Sequence, residues 1–198
     1  ANRRLQAEID RIIAAGEPIY PEDFDPKEEI PDDQNAARFL LQAASAINLT
    51  TDQTKLLEGY HGGSAVVREH SDEVRAIIEG NAQVFDLVRR ARGVSSADWG
   101  VSSHTPTATF NAISPVLSGQ RQLARLLHLS AVQQHLSGDD GNAVGKLRDL
   151  LAMSDALAGQ GTIIAFLTGT ACAGLCSNAI EETAATLALR AESAPSKH

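Results

Sequence analysis

Histidine has the widest chemical range of the residue types in this chain, since one imidazole can ligate a metal or carry a proton near neutral pH. There are six: His61, His70, His104, His128, His135 and His198. None stands in a His-Glu-x-x-His spacing, and neither the histidines nor Cys172 and Cys176 have the spacing of a closed four-ligand zinc site. No metal or other cofactor is therefore expected. His128 and His135, seven apart, share one helical face but have no carboxylate on that helix, so they read as core side chains. The segment Tyr60-His61-Gly62-Gly63-Ser64 brings a base, a flexible backbone and a hydroxyl together, as nucleophilic catalysis requires. It lacks a Gly-x-Ser-x-Gly turn, and it reads instead as a helix C-cap followed by a hinge. The acidic pairs Asp32-Asp33, Asp139-Asp140 and Glu181-Glu182 fall at helix starts, where they read as caps. Asp139-Asp140-Gly141-Asn142 lacks the alternation of a calcium loop.

The residues best placed for a binding site lie around residues 93–117, a Ser-, Thr-, Gly- and Pro-rich stretch expected to be a long loop. It carries Asp98, the single tryptophan Trp99, and His104, which could converge on Tyr60, His61 and Arg92. Two arrangements remain open here. Trp99 either plugs the space between the preceding helix and a central hairpin, or roofs a ligand cavity into which His104 points.

The elements that position these residues are helical. Aromatic residues make up only 4% of the chain while apolar residues make up 43%, and the apolar positions recur at helical spacing. The expected fold is therefore all-α, an irregular array of antiparallel helical hairpins without significant sheet, in one domain. Residues 1–16 form an amphipathic helix through Leu5, Ile9, Ile12 and Ile13, closed at Gly16. Residues 17–32 hold four prolines and form an extended connector pinned by Tyr20 and Phe24. The first helical group, 33–92, begins at an Asp32 or Asp33 cap and runs through Ala36, Phe39, Leu40, Ala43 and Ile47. A Thr50–Gln53 capping box opens a second helix, and Ser71 caps one continuous helix from Asp72 to about Arg92.

After the loop, residues 118–192 hold the central hairpin and the C-terminal helices, and 193–198 form a polar tail. Leu123, Leu126, Leu127, Leu129, Val132 and Leu136 surround one helix; a Ser137–Asp140 turn leads to a second with Ala143, Leu147, Leu150, Leu151 and Leu157. Two further helices are expected, over about 161–176 and 178–191. Ala156 to Ile180 contains no charged side chain, so it reads either as a helix packed on all sides or as a borderline membrane span. Cys172 and Cys176, four apart on one helix, are expected to be reduced and buried, because a helical backbone resists disulfide geometry.

At the hairpin, Leu123-Ala124-Arg125-Leu126-Leu127, Gly138-Asp139, Ala143 and Leu147 resemble one unit of a tetratricopeptide-type helical repeat. The aromatic positions and closing proline of that repeat are missing, and no matching period recurs. Ala15-Gly16-Glu17-Pro18, Pro31-Asp32-Asp33-Gln34-Asn35-Ala36-Ala37 and the hairpin together resemble a group of uncharacterised bacterial helical proteins. That resemblance implies an N-terminal membrane anchor followed by an extracytoplasmic helical domain of unknown role, and it brings no catalytic residues. The chain opens on Ala1, consistent with loss of an initiator methionine or a longer leader.

A formal charge of −8, with no basic run longer than Arg89-Arg90, argues against nucleic acid as a partner. The expected function is that of a helical protein-interaction or structural module. The alternative is a small-molecule-binding protein or enzyme with its site under the 93–117 loop.

Overall fold

A computed structural model describes residues 2–17, 19, 20, 23, 30–59, 63–101 and 106–187. The fold is all-α. Among the described residues there are nine α-helices: α1 (Asn2–Ala14), α2 (Ala36–Ser45), α3 (Thr51–Gly59), α4 (Ser64–Glu69), α5 (Ser71–Gly80), α6 (Ala82–Arg92), α7 (Pro106–Leu136), α8 (Asp140–Ala158) and α9 (Ile163–Thr183). An isolated bridge between Asn35 and Ser96 is the only extended pairing among them.

The core forms around α7, which packs against α2, α3, α4, α5, α8 and α9. Leu123, Leu126, Leu127, Leu129 and Val132 are all buried, so the apolar circumference seen in the sequence does mark a central helix, although Leu136 at its end is exposed. The turn into α8 needs a left-handed residue, which Gly138 supplies at φ 83. Asp139 then accepts from the Asn142 amide at 3.2 Å and caps α8. Ala143, Leu147, Leu150 and Leu157 face the core, whereas Leu151 is exposed.

Several boundaries differ from expectation, each for a local reason. Asn35, not Asp32 or Asp33, caps α2: its Oδ1 accepts from Ala37 N at 3.0 Å, while Asp32 sits in a preceding 3-10 turn and pairs with Arg38. The helix expected from Asp72 to Arg92 divides into α5 and α6. Asn81, buried between them, donates to the Ile77 and Asn48 carbonyls and accepts from Asn48 N, so its amide serves a neighbouring loop as well as its own helix. Ser71 opens α5 without a side-chain cap, because α4 runs almost directly into it. The Thr50–Gln53 capping box forms as expected, with Thr50 N bonded to Gln53 Oε1 at 2.9 Å. Tyr20 is exposed rather than packed into the core, and Phe24 lies outside the described residues.

The loop expected over 93–117 ends much earlier. The helix α7 begins at Pro106, a position where the missing amide hydrogen costs nothing, and continues through Pro115. An internal proline forfeits one backbone bond. The extensive burial further along α7 compensates. The C-terminal pair of helices is likewise one: no glycine or proline follows Gly174 before Thr183, and Ser177 turns its hydroxyl back onto the Ala173 carbonyl.

Candidate functional site

The binding group anticipated from the sequence does not assemble among the described residues. Tyr60, His61 and His104 lie outside them. Asp98 is used locally: its Oδ1 accepts from Gly100 N at 2.8 Å, and its backbone exchanges two hydrogen bonds with the Asn35 amide. Trp99 is buried, and its Nε1 donates to the Ala156 carbonyl at 3.0 Å. It therefore acts as a plug, fastening the 93–101 segment to α8. Asp98 and Trp99 border a shallow depression with Asp32 and Arg38, whereas Arg92 lines a different cleft.

That cleft has a volume of about 420 Å³ and lies between α2, α6, α8 and residues 94–97, with Leu40, Val88 and Met153 in its apolar wall. Arg92 Nη1 is 2.8 Å from Asp149 Oδ1 and also donates to the Gly145 carbonyl at 3.0 Å. Burial raises the Asp149 carboxyl above its ordinary range, and the Arg92 and Lys146 cations partly offset this. Burial in turn lowers the Lys146 ammonium, which stands 3.8 Å from the centre of the Phe85 ring. These charges satisfy one another and tie α6 to α8. They leave a cleft of mixed lining, with Ser95 and Asp155 beside its apolar wall.

A second polar group joins His135 to one partner five residues on, beyond helical i+3 and i+4 spacing, and to another 51 residues on. His135 Nδ1 stands 2.6 Å from Asp140 Oδ1 across the α7–α8 turn, and its Nε2 stands 3.0 Å from Thr186 Oγ1 beyond α9. A carboxylate, an imidazole and a hydroxyl in this order form a relay able to orient a proton. Thr186 is also within reach of the Thr183 carbonyl at 3.3 Å, so the same bonds serve to fasten the end of α9 to the hairpin. His128, the other histidine on α7, is wholly buried, and burial lowers it to about 4. Cys172 and Cys176 are free and buried, as their spacing implied; burial pushes the Cys172 thiol up to about 11. Such thiols are poor nucleophiles.

The most unusual surface belongs to α9. The sequence suggested a helix packed on all sides, but only one stripe is covered, formed by Ala165, Thr168, Gly169, Cys172, Cys176, Ala179 and Thr183. These residues are small, and they allow α9 to lie against α8 so closely that a Cβ at Gly169 would fall 2.7 Å from the Ser154 carbonyl oxygen. Four of the six bulky apolar residues point the other way, while Ile164 and Leu175 pack partly against the core. Ile163 is 75% exposed, Phe166 55% and Leu167 59%, with Ile180 at 45%. Among the described helices, α9 alone is long and apolar enough to cross a membrane. The 3-4 spacing of Ile163, Phe166, Leu167 and Thr170, opposite the small-residue stripe, is the sequence signal that could have revealed this outward face.

No family model, no curated protein and no solved structure matches the chain.

Proposed function

We propose that this chain is a helical protein-interaction module whose docking face is the outward side of α9. The observation carrying this reading is the exposure of Ile163, Phe166 and Leu167 together on one helix that has no charge before Glu181. Apolar groups clustered in water are costly, and such patches on soluble domains commonly mark places where another surface is bound. The neighbouring α7–α8 hairpin supplies a rigid support of the kind tetratricopeptide-type arrays use. The extracytoplasmic setting and N-terminal membrane anchor implied by the bacterial helical group belong to the same proposal. In that setting the module would be held near a membrane and would recruit a protein to it.

A membrane is the main competitor for the same face. An acidic chain whose α9 carries no lysine or arginine of its own favours a protein, because anionic headgroups would be repelled. The test is a photoreactive phenylalanine analogue at position 166, with a second at exposed Glu58 as control, and mass spectrometry of the products formed in cells. Adducts to one protein from position 166 alone are expected. Adducts to lipid alone, or none, would overturn the proposal.

A further inference from the structure

The chain contains a second unpartnered apolar surface, and the two are complementary. Helix α1 is exposed along almost its whole length: Leu5 is 61% exposed and Ile13 51%, with Ile9 and Ile12 only half-buried. Its apolar stripe therefore faces no core, unlike the stripe of α2 or α5. The charges differ in sign as well. Three arginines, Arg3, Arg4 and Arg11, outnumber Glu8 and Asp10 on α1. No lysine, arginine or histidine occurs between Asp149 and Leu189, so the charges in that stretch are the acids Asp155, Glu181 and Glu182, while Arg121 of α7 is a cation close to Cys172 on the packed side of α9.

From these two faces we infer that α9 is covered by α1 of a second copy of this chain, in a reciprocal exchange that forms a dimer. This rests on the interaction-module reading and names its partner. In an antiparallel setting Ile12 and Ile13 cover Phe166 and Leu167, and Arg3 and Arg4 fall about 14 Å further along α9. The remaining distance to Glu181, about 8 Å, is shorter than the combined reach of an arginine and a glutamate side chain. Antiparallel helices also place opposite dipole ends together. A single chain leaves both faces open, with α1 against no other helix to any extent, whereas a two-fold exchange closes both faces twice. The 15 residues from Glu17 to Pro31 can extend across about 50 Å, enough for α1 to reach a neighbouring copy.

The experiment is sedimentation velocity on the full chain across the micromolar range, together with its Leu5→Asp and Phe166→Asp variants. Wild type should sediment at twice its 21.0 kDa mass, and each variant should raise the dimer dissociation constant by roughly tenfold or more while keeping the helical far-UV circular dichroism of the wild type. Glu181→Arg with Glu182→Arg should weaken the dimer, and Arg3→Glu with Arg4→Glu in the same chain should restore it. Mixing an Ile13→Cys chain with a Leu167→Cys chain should give an oxidised heterodimer. A monomeric wild type overturns the inference, as does a crosslink that forms only within a doubly substituted chain. If Phe166→Asp dissolves the dimer while Leu5→Asp leaves it intact, α1 is not the occupant but the α9 face still binds protein. If neither variant changes the mass and position 166 labels no protein, the interaction-module reading falls with it.

Discussion

Acidification should destabilise this fold through His128, and the size of the effect follows from its burial. The ring lies in the second half of α7 with no exposed surface, and burial lowers its proton affinity from an ordinary 6.5 to about 4. A base lowered by folding binds its proton more readily in the unfolded chain. Its contribution is therefore complete above pH 6.5, declines as pH falls, and reaches its limit near pH 4. Between pH 7.5 and pH 5 the linkage amounts to about 2 kcal/mol, and the full difference to roughly 3 kcal/mol. Urea unfolding at a series of pH values should show the decline as a falling midpoint at constant slope. His128→Leu keeps a similar volume without a titrating group. The quantity that isolates His128 is the difference between the two proteins in their loss of stability over this interval, since the remaining histidines titrate in both. That difference should be about 2 kcal/mol. Equal pH dependence in the two proteins would refute the assignment, as would an imidazole NMR titration of His128 in the folded state near 6.5.

Two further perturbations test how the helices are joined. Trp99→Ala removes a buried indole and its bond to Ala156, and should cost roughly 3–5 kcal/mol in denaturant unfolding; slow acrylamide quenching of the wild-type fluorescence should accompany it. Gly169→Ala sets a Cβ 2.7 Å from one backbone atom of α8 and 3.0 Å from another, so it should lower stability by about 1–3 kcal/mol. Gly174→Ala on the open side of the same helix meets nothing and should instead stabilise by roughly 0.5–1 kcal/mol, and equal melting temperatures for the two variants would refute the close approach of α8 and α9.

The all-α architecture was legible because the apolar spacing of α2, α6, α7 and α8 is strong and each meets a partner. The capping box at Thr50 was legible for the same reason: it is chemistry within four residues. Boundaries set by distant partners were not. Asn81 ends α5 by bonding to Asn48, which lies 33 positions away, and nothing near Asn81 announces that loop. Asn35 looks like any polar residue before a helix, yet its amide also holds Asp98 in place, 63 positions later. Sequence patterns weigh a proline heavily as a breaker, but they do not weigh the burial that carries α7 through Pro115. The described members of the candidate binding group were hard to read for a related reason. Trp99, Asp98 and Arg92 are all unusual residues close in sequence, and each is engaged by a different neighbour: the Ala156 carbonyl, the Asn35 amide and the Asp149 carboxylate.

The orientation of α9 is the most consequential case, because there hydropathy and packing point in opposite directions. A charge-free helix is expected to be buried in proportion to its apolar side chains. Here four of the six large ones are outside. Close approach to α8 depends on small side chains, and the Gly169 backbone accepts a bond from Ser154 Oγ at 2.8 Å that a bulkier contact would hold off. Once that stripe sets the rotation of α9, the helical period fixes the direction of Ile163, Phe166 and Leu167, about half a turn away. They cannot be turned inward without losing the α8–α9 contact. The exposed face is thus a direct result of how the helix is held, and covering it requires something from outside the packed helices. Among the described residues, helix α1 is the other amphipathic segment left without a core, and it carries both the apolar stripe and the basic flank to do so.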